Sequence, residues 1–230
     1  MIEKKLKTTA GKLQIKMPTN ITEITLGQIM EMQEKADLND LDAISILSGT
    51  PIEELQNIIG IDDLGTFGDC LLSLSDQIKN LYSCDVIPNK VSFMFGERNI
   101  TIKVPGNLAI EPVGAFMAAR DIIADEIKEH IDKYGGDDFK DRFNPSLKAC
   151  CHVLAYYFFC RVTGKKYNEY EAEEFCSTVK KLRVTEALPI AKHFFIYYPS
   201  LSKTKTNCFR RAQQYWRKKL GSRHLKSSSI

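Results

Sequence analysis

The chain has 230 residues, 43% hydrophobic and 27% charged, which is enough to bury a core without metals or disulfides. No apolar run approaches the roughly 20 residues that a membrane crossing needs, and the start, Met1-Ile2-Glu3-Lys4-Lys5, has no apolar stretch of the kind an export signal requires. The net charge of +3 hides two opposed blocks: ten of the 32 lysines and arginines lie beyond Glu186, the last acidic residue, so residues 1–186 carry 22 basic against 29 acidic groups (net −7) and residues 187–230 carry net +10. Blocks of this kind point to an interaction arm.

Leu13, Ile15 and Met17 alternate and predict a half-buried strand, which Pro18 ends by removing a backbone donor. A helix follows with Gly27 near its start, a place where another element can approach closely. A second helix over Asp40 to Ser48 is stopped by Gly49. Thr50-Pro51-Ile52-Glu53 then reads as an N-cap, a proline at the first helical position and a capping-box glutamate.

Val91, Phe93 and Phe95 alternate again, and Gly96-Glu97-Arg98-Asn99 reads as a four-residue turn into a strand of Ile100, Ile102 and Val104. The strand at 13–17 is available to extend this hairpin to three strands, and a helix has to cover it, because a lone hairpin is marginal in water. A helix carrying Gly114 comes next, and the stretch 134–144 reads as a long loop, either mobile or partner-facing. From Asn144-Pro145 a long apolar helix runs to Gly164, and Asn168 with Glu171 caps another. The runs Tyr156 to Phe159 and Phe194 to Tyr198 are too wide for one amphipathic stripe, so they belong in a core or an oligomer interface.

Residues 13–30 and 100–117 align without gaps at an offset of 87. Ile15/Ile102, Lys16/Lys103, Pro18/Pro105, Asn20/Asn107, Gly27/Gly114 and Met30/Met117 are identical. The expected fold is therefore mainly α with a small antiparallel hairpin or sheet. It is built as a tandem duplication of a strand-plus-helices unit, residues 1–88 and 89–201, followed by a basic C-terminal arm, residues 202–230.

Chemistry is sparsely signalled. Cys150, Cys151 and His152 are the nearest approach to a metal cluster, but neighbours on a helix point about 100° apart and cannot share one ion. The seven cysteines form no C-x-x-C pair and fit a reduced compartment. Gly164-Lys165-Lys166 lacks the first glycine of a phosphate loop, where Phe159 stands. Acidic pairs such as Glu53-Glu54 and Glu173-Glu174 suit helix starts and solubility. The reading is of a non-enzyme with no catalytic residue, cofactor or metal.

The arm is the most informative stretch. Phe209, Ala212, Trp216 and Leu220 recur at helical spacing, Arg210, Arg211, Arg217, Lys218 and Lys219 flank them, and Gly221 stands where the helix would stop. Such a helix docks its apolar face on a protein, tracks phosphates such as those of DNA, or stays a solvated tail. The acidic body argues against a membrane partner.

Leu26-Gly27-Gln28 opening a helix, Ala43 to Gly49 leading into Thr50-Pro51, Pro105-Gly106-Asn107-Leu108 entering Gly114, and Phe194-Phe195 before Pro199-Ser200-Leu201 resemble small structural and assembly proteins of tailed bacteriophages, crAss-like phages above all. The resemblance implies a virion protein made in the host cytoplasm. It would be a ring or connector subunit at the head–tail junction, contacting its own copies and other virion proteins. A tail-assembly chaperone and a nucleic-acid-binding protein are the alternative roles.

Overall fold

The computed structural model describes residues 1–60, 62–83, 86–104, 112–135 and 143–196. Pro105 to Leu108, most of the loop at 134–144, Tyr197 to Leu201, Cys84 and the whole arm, including every residue proposed above to bind partners, lie outside the described residues.

Two antiparallel hairpins and a set of helices make up the fold. Strands β1 (Ile2–Thr8) and β2 (Gly11–Met17) form the first hairpin, and β3 (Lys90–Phe95) and β4 (Arg98–Lys103) the second. Helices follow in two series: α1 (Leu26–Glu34), α2 (Asp40–Ser48), α3 (Ile52–Gln56) and α4 (Asp62–Lys79), then α5 (Val113–Tyr134), α6 (Leu147–Thr163), α7 (Glu169–Glu174), α8 (Cys176–Val179) and a last helix, α9, over residues 184–196. The protein is mainly α with small antiparallel strand pairs.

Two strand expectations change. The first hairpin does not extend the second; each is a separate two-stranded sheet. The outer edge of β1 is instead met by the segment after α3, where Ile59 donates to Lys7 at 2.8 Å and Thr9 to Asn57 at 3.0 Å. The turn of the second hairpin has two residues rather than four, because Phe95 pairs directly with Arg98. The short loop keeps Arg98 and Asn99 in the ladder.

The correspondence at offset 87 extends to strand register. Glu3 pairs with Lys16 and Lys90 with Lys103; Leu6 pairs with Leu13 and Phe93 with Ile100; Thr8 pairs with Gly11 and Phe95 with Arg98. Alternation sends Leu6, Ile15 and Met17 inward from the first hairpin and Val91 and Phe93 from the second. The matching inward position to Val91 is Lys4, whose ammonium donates to Thr66 Oγ1 at 2.7 Å. Gly27 and Gly114 are each the second residue of their helix.

Caps set the helix ends. Thr25 and Gln28 form a capping box at α1, and the side chains of Asn39, Ser146 and Asn168 cap α2, α6 and α7. Gly49 and Gly164 end α2 and α6 in the left-handed conformation, both at φ 70°. The cap expected from Thr50 and Glu53 does not form. Pro51 takes the N-cap place of α3, and Thr50 is held through its backbone, its N–H on Ser48 Oγ and its carbonyl on Ser45 Oγ. The apolar helix α6 starts after Ser146, two residues beyond Asn144.

Helix α6 is the axis of the core and is buried nearly all round, from Leu147 to Val162. Phe158 meets Phe93 at 5.0 Å between ring centroids, and Tyr157 meets Phe194 at 4.4 Å. A single apolar cluster unites residues of both halves. The halves are also joined through backbone: Leu26 and Gly27 donate to the carbonyls of Leu182 and Lys180, both at 2.8 Å, and Val184 donates to Ile24 at 2.9 Å. Two of the amides that α1 leaves free at its start thus find acceptors in the second half. Among the described residues no helix is long and apolar enough to cross a membrane.

Candidate functional site

Helix α6 presents Cys150, Cys151 and His152 in three directions, as helical geometry demands. Cys150 turns to the side of Tyr82 and Glu126 and is buried, which pushes its thiol pKa up. Cys151 and His152 turn to the other side, and both reach Cys176, the first residue of α8.

Cys176 is held in place from its neighbours. Phe175 packs against Phe93 at 5.8 Å and Phe159 at 6.1 Å, and Val179 is fully buried one turn later. Anchored at both ends, the short helix hangs its first side chain over α6. Cys151 Sγ lies 3.7 Å from the Cys176 carbonyl oxygen, to which it donates, so the two cysteines meet across the α6–α8 contact. The His152 imidazole and the Lys180 ammonium, one turn along, both act on the Cys176 sulfur. Tyr156, one turn past His152, reaches Glu173 at 3.4 Å.

The electrostatics are asymmetric. Hydrogen bonding from Cys151 favours the Cys176 thiolate most, with His152 and Lys180 adding to it, and together they outweigh the opposing effect of burial. The Cys176 pKa is well below that of an ordinary thiol. Cys151, beside that anion and almost wholly buried, is held protonated. The His152 imidazolium is favoured by the neighbouring Cys176 sulfur against the cost of partial burial. The surroundings thus favour the thiolate at Cys176 and the thiol at Cys151.

The site borders the seam between the halves. Lys180, whose carbonyl receives the Gly27 amide, also lines a shallow cleft with Gly27, Met30, Glu31 and Glu34. The approach there is close: a Cβ built on Gly27 would lie 3.0 Å from both Cβ and the carbonyl oxygen of Lys180, and one on Gly114 would lie 2.7 Å from the Tyr167 ring.

The sequence cluster Cys150-Cys151-His152 is therefore split, and the residue that completes the group, Cys176, is 25 positions away from Cys151. It did carry one signal: it sits in the polar run Glu173-Glu174-Phe175-Cys176-Ser177, whereas Cys150, Cys151 and Cys160 lie in an apolar helix. Among the described residues no three His, Cys, Asp or Glu side chains are grouped to hold a metal ion. The fold and site define a mainly helical protein with paired hairpins and a thiol–imidazole cluster. Comparison with known families, characterised proteins and solved structures finds no match.

Proposed function

We propose that this chain is a non-enzymatic structural protein of a tailed-bacteriophage particle, a ring or connector subunit at the head–tail junction whose basic arm docks on the next copy or on a neighbouring virion protein. The observation that carries the reading is the charge opposition between residues 1–186, net −7, and residues 187–230, net +10. The arm's apolar stripe of Phe209, Ala212, Trp216 and Leu220 adds a reason for docking on protein. The described surface offers a complementary patch. Tyr170 on α7 is 81% exposed, and Glu169, Glu173 and Glu174 around it are exposed as well. A head-to-tail contact of arm on body closes into a ring when the rotation between copies allows it.

The test is assembly of the full chain, of a chain ending at Leu201, and of Trp216→Ala, followed by native mass spectrometry at two salt concentrations. The truncated chain is expected to stay folded and monomeric. Trp216→Ala is expected to weaken association about 30-fold, as loss of an aromatic hot spot worth about 2 kcal/mol does, and more than any single Lys→Ala. A steep salt dependence with little effect of Trp216→Ala overturns the reading in favour of phosphate tracking. Absence of the protein from purified particles, despite its expression, overturns it in favour of an assembly chaperone.

A further inference from the structure

The cluster at the α6–α8 contact is not needed for docking, and core packing alone does not account for it. A structural cysteine is usually buried and inert, but Cys176 is only half-buried, its carbonyl oxygen is 3.7 Å from Cys151 Sγ, and the His152 imidazole and Lys180 ammonium act on its sulfur. Its partner Cys151 is 1% exposed and already in contact with it. A half-buried cysteine whose thiolate is favoured, beside a shielded thiol, is the arrangement that reversible thiol oxidation requires.

We propose that Cys176 and Cys151 are a reversible thiol–disulfide pair, with Cys176 the sulfur that meets a hydroperoxide and Cys151 the one that resolves it. In the first step the Cys176 thiolate attacks the terminal oxygen of the hydroperoxide. The S–O bond forms, the O–O bond breaks, and the leaving alkoxide or hydroxide takes a proton from the His152 imidazolium. The hydroperoxide is reduced to an alcohol or water, and Cys176 is oxidised to a sulfenic acid. In the second step the Cys151 sulfur attacks the Cys176 sulfur. The S–S bond forms, the S–O bond breaks, and the departing hydroxide leaves as water with the Cys151 proton. One hydroperoxide and two thiols become one alcohol or water, one further water and one disulfide. A low-molecular-weight dithiol reverses the change by exchange.

The position gives the reaction a structural consequence. Cys176 opens the segment that continues through Lys180 and Leu182, whose carbonyls receive the first amides of α1. A disulfide would tie that segment to the central helix and remove the anion that pairs with His152. The inference stands apart from the docking arm and does not depend on it.

The experiment uses the full chain, reduced and then exposed to hydrogen peroxide, with free thiols alkylated at intervals and each cysteine followed by peptide mass spectrometry. Cys176 is expected to lose its free thiol at least tenfold faster than Cys70 and Cys160, half-exposed thiols outside the cluster, and to appear in a peptide crosslinked to Cys151 that dithiothreitol releases. In Cys151→Ser, Cys176 is expected to stop at a sulfenic acid that dimedone traps.

The groups that face Cys176 are Cys151 and His152 from α6 and Lys180 from its own turn, with Glu173 and Lys148 acting on His152. His152→Gln is expected to raise the pH at which Cys176 alkylates at half its maximal rate, a readout that mere loosening of the fold would not produce. Reaction of Cys176 no faster than that of Cys70 and Cys160 overturns the proposal. Conversion of wild-type Cys176 to a sulfinic acid with Cys151 still free overturns it as well, and so does an unshifted pH profile in His152→Gln.

Discussion

Gly27→Ala and Gly68→Ala make the same chemical change in two helices, and the structure predicts opposite signs for them. An added Cβ at Gly68, within α4, meets nothing within 4 Å. Alanine there limits the unfolded chain and favours the helix, so stability should rise by about 0.5–1 kcal/mol. At Gly27 the same methyl would stand 3.0 Å from the carbonyl oxygen that receives the Gly27 amide, and equally close to Lys180 Cβ. That neighbour is backbone, fixed by Val179 beneath it, so the seam itself has to open. Overpacking costs about 1–3 kcal/mol and a weakened hydrogen bond about 1 kcal/mol, against a propensity gain of at most about 1 kcal/mol. The net loss is about 1–3 kcal/mol, which lowers the Tm of a domain this size by about 2–12 °C, while Gly68→Ala raises it by about 1–4 °C. Calorimetry of both variants beside the parent measures the pair. A Gly27→Ala protein as stabilised as Gly68→Ala would refute the close approach of the two halves.

Phe93→Ala removes a fully buried ring that touches Phe158 at 5.0 Å and Phe175 at 5.8 Å, and should cost about 3–5 kcal/mol in urea unfolding. A loss under about 1 kcal/mol would mean the second hairpin is not seated on the core. Gln28 ties two helix ends together: its Oε1 accepts the Thr25 N–H at 2.9 Å, and its Nε2 donates to the carbonyls of Ile46 and Leu47 at 3.2 and 3.1 Å. Gln28→Glu keeps the capping box but sets a carboxylate against two carbonyls, so it should destabilise at least as much as Gln28→Ala, by about 1–3 kcal/mol. Unchanged stability in Gln28→Glu would show that the tether to α2 contributes nothing.

Features written in local chemistry were readable in advance. Alternation marked the strands at 13–17 and 91–104, Gly49 and Gly164 marked two helix stops, Asn168 marked a cap, and the run Tyr156 to Phe159 marked a segment for a core or an oligomer interface, which the structure places in the core. Strand β1 was not readable, because Ile2-Glu3-Lys4-Lys5-Leu6-Lys7 offers only two apolar residues and puts Lys4 on the inward face, satisfied by a threonine 62 residues away. Helix α4 carries Gly65 and Gly68 in its interior, which weakens its local signal. Thr50 had the right residues after it for a cap, but its backbone groups were claimed by Ser45 and Ser48. The candidate site was half legible. Cys151 and His152 drew attention as neighbours, yet only the folded path of the chain brings Cys176 between them.

The seam between Ile24–Gly27 and Lys180–Val184 also fixes an order of events during synthesis. The first hairpin and α1 leave the ribosome long before the carbonyls that receive the Leu26 and Gly27 amides have been made. Contacts between such distant parts of a chain are the slow ones to form, because the intervening loop must first be closed. The amino-terminal half therefore waits, solvated and incompletely capped, until translation has passed Val184. Separately expressed fragments of the two halves should for the same reason find each other and complete the seam in trans.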